Sequence, residues 1–329
     1  VDDDLLDYPD ADFTSIQAAI DAAQDGDLIL VYPGTYTGTG NHVVNFGTKQ
    51  LQLIAATGFS NTIIDGEDAR GLINCSNYHD ASTVIQGFGM TRGNTDGISG
   101  LPFGSLLEFT GESGPILADC RIYDMDANGS TLHAGPVHLG DAAGNPQILR
   151  CTFESINCSE ILYFNYNNPR IEDCIFRSNV STEWLGFSYW SNNHPEYINC
   201  VFDGNTVGVV GNDELGILVS RSGSLITTTG CTFSGNTMAN SCVINGTSEV
   251  GDTQFCGNFP GNDICGSWTD LGGNEFLDEP CLSFDCNENG VPDYDDIDSG
   301  YSEDCNNNGY PDECDIAEGL EEDCNGDGV

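Results

Sequence analysis

Lysine occurs once in the 329-residue chain, at Lys49, and eight Lys and Arg stand against 52 Asp and Glu, a formal net charge of −44. So few cations leave no clustered basic surface to neutralise phosphates, which excludes nucleic acid as a partner. An anionic membrane surface is disfavoured on the same ground. Long hydrophobic runs are missing as well: no stretch approaches the roughly 20 apolar residues that span a bilayer. The chain opens on Val1 without an initiator Met or a signal-peptide pattern, which reads as a processed product or an excised segment. A surface this acidic attracts cations, and metal ions are the natural candidates. Cysteine, by contrast, is plentiful. Fifteen of them point to an oxidising, extracellular or cell-surface setting.

A short pattern returns between residues 115 and 258. It reads Pro115 to Cys120-Arg-Ile122, Pro146 to Cys151-Thr-Phe153, Pro169 to Cys174-Ile-Phe176 and Pro195 to Cys200-Val-Phe202, with weaker copies at Cys231-Thr-Phe233 and Thr253-Gln-Phe255. Successive Cys lie 31, 23, 26 and 31 residues apart. Repeats of this length mean a solenoid. Cys and the Phe or Ile two residues on share one face of a strand, because side chains alternate with period two. The residue before Cys (Asp119, Arg150, Asp173, Asn199, Gly230) is polar or Gly, as a corner requires. Pro suits the start of a strand, where its missing N–H costs no ladder bond. An Asn three residues after the Phe (Asn179, Asn205, Asn236, Asn258) suits the left-handed backbone of a second corner. Each repeat is then a coil of strand, corner, strand, corner. Roughly ten such coils stack about 4.8 Å apart. The fold class is all-β: a right-handed parallel β-helix.

Residues 1–26 form an acidic lead-in and a capping helix. Over 12–26, Thr14 is the expected N-cap with Gln17 three residues on. Phe13, Ile16, Ala19, Ile20 and Ala23 make one apolar stripe, and Gly26 ends the helix. A solenoid has open ladder edges that invite pairing, and a helix ahead of the first strand would cover one. The β-helix itself occupies 27–282. The run SIQAAIDAAQDGDLILVYPGTYTG (15–38), then IIDGEDAR, then the coils, resembles the pectate-lyase-like β-helix superfamily. More narrowly it is similar to repeat-bearing β-helix proteins of large secreted bacterial polypeptides. In those a segment like CGNFPGNDICGSWTDLGGNEFLDEPC (256–281) closes the helix before a calcium-repeat tail. The resemblance implies fold and extracellular location; it says little of activity.

Residues 283–329 change character, with 16 acidic residues between 285 and 329 and no Lys or Arg after Arg221. Asp285, Asn287, Asn289, Val291, Asp293 and Asp296 fit positions 1, 3, 5, 7, 9 and 12 of the twelve-residue calcium loop, with Gly290 making the turn. Asp304, Asn306, Asn308, Tyr310, Asp312 and Asp315 form a second copy, and Asp323, Asn325 and Asp327 begin a third. Ca2+ is therefore the expected cofactor. The period of 19 leaves seven residues between loops, too few for paired EF-hand helices. The tail looks like thrombospondin type 3 or degenerate dockerin repeats.

Other motifs carry less. Asn94-Thr95-Asp96-Gly97 resembles the Asn-Thr-Asp motif of polygalacturonase-type hydrolases. The remaining acid–base residues of those enzymes are missing, so an ordinary corner explains it. Arg150, Arg170 and Arg177 are the only cluster able to supply a base for β-elimination, and they read better as neutralising partners of Glu154, Glu172 and Asp173. No catalytic residue is assigned. The five His show no ligand spacing and suit the surface. The ladder cysteines suit burial as small thiols more than cross-linking. Cys256 with Cys265 is the expected closing disulfide and Cys314 with Cys324 a second. Tyr163, Tyr166, Trp184, Tyr189 and Trp190 gather aromatics on consecutive coils and could stack against sugars.

The chain thus reads as an extracellular scaffold or adhesion protein, a β-helix rod joined by calcium-stabilised repeats. Set end to end, the third loop breaks off where Asp2 and Asp4 would fall at positions 9 and 11, with Leu5 at 12. Self-association head-to-tail through the calcium tail follows as an expectation. The alternatives are a carbohydrate-binding or dockerin-type module and a calcium-dependent polysaccharide lyase or hydrolase.

Overall fold

Each Pro-to-Cys stretch of the repeat forms a three-residue strand: Ile116–Ala118, Gln147–Leu149, Arg170–Glu172 and Glu196–Ile198. The preceding Pro stays in the ladder through its carbonyl. Pro146 accepts from Arg170 N and Pro169 from Glu196 N, at 3.1 and 3.0 Å. The computed structural model describes residues 1–76, 78–94, 107–110, 113–126, 137–140, 144–165, 167–189, 193–208, 216–239, 242–259, 263–278, 287, 289, 291, 293–303 and 311–318. They belong to two units, Val1–Asp278 and Glu279–Val329.

In the first unit one parallel sheet of ten strands runs from Leu28–Val31 to Trp268–Gly272, one strand from each turn of the chain. A larger parallel sheet bends around the rest of each turn. This is the arrangement of a parallel β-helix. Its coils have three faces rather than the two expected. The third face carries strands such as His42–Asn45, Gly71–Asn74, Val180–Tyr189 and Gly216–Ser220. It has no fixed Pro, Cys or Phe, so nothing in the repeat marks it.

The interior is built from identical residues on identical residues. Phe153, Phe176, Phe202, Phe233, Phe255 and Phe276 stack with centroids 4.6–5.2 Å apart, all within 7° of parallel. That spacing is the distance between neighbouring strands. Cys120, Cys151, Cys174, Cys200 and Cys231 are buried free thiols, as expected. Burial pushes the Cys120, Cys151, Cys174 and Cys200 thiols well above their ordinary pKa.

The corner before each Cys is left-handed, with φ between 51° and 67° at Asp119, Arg150, Asp173, Asn199 and Gly230. The second corner corrects the expectation. Ser178, Gly204, Gly235 and Gly257 take the left-handed backbone, one residue before each Asn. The Asn side chains turn inward instead and bond to one another. Asn179 Nδ2 donates to Asn205 Oδ1 at 3.0 Å, Asn205 Nδ2 to Asn236 Oδ1 at 2.9 Å and Asn236 Nδ2 to Asn258 Oδ1 at 2.9 Å.

At the start of the chain α1 spans Ile16–Ala22, with Ile16, Ala19 and Ile20 buried. Its N-cap is Ser15, whose Oγ accepts from Ala18 N at 3.2 Å; Thr14 is not the cap. Gln17 leaves the expected capping box for the strand His42–Asn45, accepting from Asn45 N at 2.8 Å and donating to Asn45 O at 3.1 Å. Two histidines are also interior, against the surface role expected. His79 sits between Thr83 Oγ1 and Gly47 O, each 3.2 Å away, and His42 lies 3.9 Å from the buried carboxylate of Glu108.

The second unit contains α2 (Asp293–Ser299) and α3 (Asp312–Glu318). The spacing is too short for paired EF-hand helices, yet a single helix of about two turns fits inside each of the first two repeats. Gly300, at φ 72°, ends α2: Gly300 N donates to Ile297 O and Tyr301 N to Asp296 O. That pair of bonds is a Schellman cap.

Candidate metal site and charged ladder

The loop that begins the tail draws its predicted ligands together. Asn287 and Asn289 stand at positions 3 and 5, and Asp296 at position 12, one turn inside α2. Their amides converge on one oxygen: Asn287 Nδ2 donates to Asp296 Oδ2 at 3.0 Å and Asn289 Nδ2 at 2.7 Å. Asp296 and Asp293, the position-9 residue, are 3% and 1% exposed. Asn289 Oδ1 also accepts from Val291 N at 2.7 Å, which shapes the turn at position 7. The second repeat contributes as well, because Glu313 of α3 accepts from Asn287 Nδ2 at 3.4 Å and from Ser302 Oγ.

One buried carboxylate and two amides meet at Asp296 Oδ2, and they would form an all-oxygen donor set if the amides turned their oxygens inward. That chemistry suits a hard cation such as Ca2+. Asp312 of the second loop is buried at the start of α3. Asp285, Asp304, Asn306, Asn308, Tyr310, Asp323, Asn325 and Asp327, and the side chain of Asp315, lie outside the described residues.

On the β-helix the arginines are occupied. Glu154, 4% exposed, accepts from Arg121 on one neighbouring coil and Arg177 on the other. Arg170 grips Glu172 through two 2.9 Å bonds. Arg150 pairs with Asp119, at 2.6 and 2.9 Å, rather than with Asp173. The cluster therefore neutralises carboxylates and leaves none of these three guanidiniums unpaired to act as a base. Glu108 is a further buried carboxyl. Burial pushes its pKa up, partly offset by the 2.7 Å bond from Asn74 Nδ2. The sequence held no sign of this pair, since Asn74 and Glu108 meet only through coil stacking.

Of the expected aromatic patch, the described side chains of Tyr163 and Trp184 belong to one small apolar cluster. Trp184 is 8% exposed and stacks on Phe187 at 3.9 Å, with Val219 beneath and Tyr163 at the edge. Tyr166 and Trp190, and the side chain of Tyr189, lie outside the described residues, as do Thr95, Asp96 and Gly97. Cys265 is bonded to Cys242, Cα to Cα 5.8 Å, not to Cys256. The bond ties two neighbouring strands of the third face, Cys242–Asn245 and Ile264–Cys265. Cys256 and Cys314 are each disulfide-bonded too, and Cys324 lies outside the described residues.

No protein-family description and no curated protein matches the chain. Among solved structures it is similar to ORF18 of Geobacillus virus E2, at 13% identity and a TM-score of 0.29, covering 80% of this chain and 55% of that protein's length. It is similar to the A-module of the Azotobacter vinelandii mannuronan C-5 epimerase AlgE6, at 15% identity and a TM-score of 0.23 over 80% of this chain and 92% of that one. A PL6 alginate lyase in complex with a trisaccharide follows, at 11% identity and a TM-score of 0.26 over 74% and 56%.

Proposed function

We propose that the chain is an extracellular structural protein, a rigid β-helix continued by calcium-stabilised repeats and able to associate end to end. The observation that carries this reading is the convergence of Asn287, Asn289 and Asp296, with Glu313 of the following repeat reaching the same cluster. A cation there would fix the loop and link two repeats through one charge. The β-helix supports a rigid role, since its inward Asn side chains bond to one another from coil to coil and its clustered arginines are held in ion pairs.

End-to-end association draws on the last coil. Trp268, Leu271, Phe276 and Leu277 are 38–54% exposed there, on strands whose outer backbone edge has no partner among the described residues. Such an edge is a template for another chain. The calcium tail is the proposed junction.

Electron microscopy and sedimentation of the purified chain, in millimolar Ca2+ and after chelation, test both parts. Assemblies that disperse on chelation, and that Asp296→Asn prevents, are the expected result. A monodisperse particle in both conditions removes the assembly claim. Failure of Asp296→Asn to change the number of bound Ca2+ removes the calcium loop. Saturable binding of an acidic polysaccharide by the dispersed particle would favour the carbohydrate-binding alternative.

A further inference from the structure

The lead-in holds a second acidic cluster, far from the tail in sequence. One oxygen from each of Asp2, Asp3 and Asp4 lies within 4.8 Å of the other two. Three consecutive side chains rarely gather this way, because neighbours on an extended chain point apart. The chain manages it by bending at Asp3 and Asp4 themselves.

The cluster has an anchored half and an unmet half. Asp3 Oδ2 accepts from Thr35 N at 2.9 Å and Asp4 Oδ1 from Leu6 N at 2.8 Å. Asp2 is 1% exposed, and its Oδ2 has no hydrogen-bond partner. A buried anionic oxygen without a donor, beside two more carboxylates, is an expensive arrangement unless a cation supplies the missing partner. Gly34 makes the approach possible. A Cβ at that position would stand 2.5 Å from Asp3 Cγ, inside contact distance.

We propose that Asp2, Asp3 and Asp4 bind one hard divalent cation, Ca2+ in an extracellular setting, and that the ion locks the lead-in onto the first coil. Carboxylate oxygens are the ligand type such ions take, with water completing the shell. The strand Gly34–Tyr36 pairs with Thr62–Asp65 on one side only, and Asp3 meets the N–H of Thr35 on the other. The cation therefore closes an open ladder edge at the beginning of the solenoid. This site is separate from the tail loop and does not depend on it.

The test is a calorimetric Ca2+ titration with thermal unfolding of the whole chain and three variants, Asp2→Asn, Asp4→Asn and Asp296→Asn. Asp2→Asn and Asp4→Asn are each expected to lose one binding equivalent and part of the Ca2+-induced rise in Tm. Asp296→Asn keeps that equivalent and loses a different one. In chelator the order reverses: Asp2→Asn unfolds at or above the wild-type Tm, because a repelling buried charge is gone. A purely structural role for Asp2 lowers Tm equally with and without Ca2+, and that outcome overturns the proposal. So does an unchanged stoichiometry in both lead-in variants. Asp4 is exposed, so its variant carries the measurement even where Asp2→Asn fails to fold.

Discussion

Asn205 Oδ1 takes two hydrogen bonds from Asn179, one from its backbone nitrogen at 3.1 Å and one from its side-chain nitrogen at 3.0 Å. Its own Nδ2 donates to Phe176 O at 2.8 Å and to Asn236 Oδ1 at 2.9 Å. Both lone pairs and both protons of one amide are satisfied in a residue of zero exposure. Asn205→Ala strands the Asn179 amide hydrogens and the Phe176 carbonyl. At about 1–3 kcal/mol for each orphaned buried group, the loss should reach 3 kcal/mol or more. Urea unfolding measures it; a change under 1 kcal/mol would show that the ladder is incidental.

The buried thiols give a chemical prediction. Cys120, Cys151, Cys174 and Cys200 have no exposure to speak of and pKa values raised by burial, so little thiolate exists to react. Iodoacetamide followed by peptide mapping should leave these four unlabelled in the native protein and label them all in denaturant. Native-state labelling at Cys174, the middle of the ladder, would contradict the packing.

Lys49, the sole lysine, donates to Ile20 O at 2.7 Å and Asp21 O at 2.8 Å, at the C-terminal end of α1. A cation there adds to the 3.2 Å bond that Ile20 O takes from Ala23 N and opposes the negative end of the helix dipole. Lys49→Met keeps the aliphatic stem and removes the charge. It should cost about 1–2 kcal/mol and raise hydrogen exchange in α1 more than in the coils beyond. Uniform exchange changes along the solenoid would argue against a local anchor.

His79 sets a pH dependence. Desolvation lowers its pKa, outweighing the bonds to Gly47 and Ser76 backbone and the charges of Asp25 and Asp80. The folded state therefore prefers the neutral ring. Its contribution is present above the unfolded value near 6.5 and is lost as pH falls through the depressed folded value. Between pH 7 and 5 the wild type should lose more stability than His79→Gln, in paired denaturant titrations. Parallel curves would remove His79 as the source.

The Cys, the Phe and the corner before each Cys could be read from the chain because they recur on a fixed local pattern. Three other features could not. The third face has no marker residue, so strands such as Gly216–Ser220 look like any apolar run. The burial of His42 and His79 has no local sign, because the atoms that bury them belong to neighbouring turns; Gly47 O is 32 residues from His79. The inward Asn reads from the sequence as the turn residue because its neighbour varies between Ser178 and Gly204, while the Asn does not. In the tail the spacing of Asn287, Asn289 and Asp296 was legible, whereas Glu313 entered from the next repeat without any local sign.

From one Cys to the next the chain takes as few as 23 residues and as many as 31, yet Phe153, Phe176, Phe202 and Phe233 remain opposite one another throughout. Pitch and circumference are thus independent quantities in this molecule. Two corners are held to a residue by left-handed backbone and by the amide ladder, and the added length emerges elsewhere on the turn. Length varies there without displacing a single ring of the stack. Residues added to that part of a turn change its circumference and leave the rise per coil, set by strand spacing, as it was.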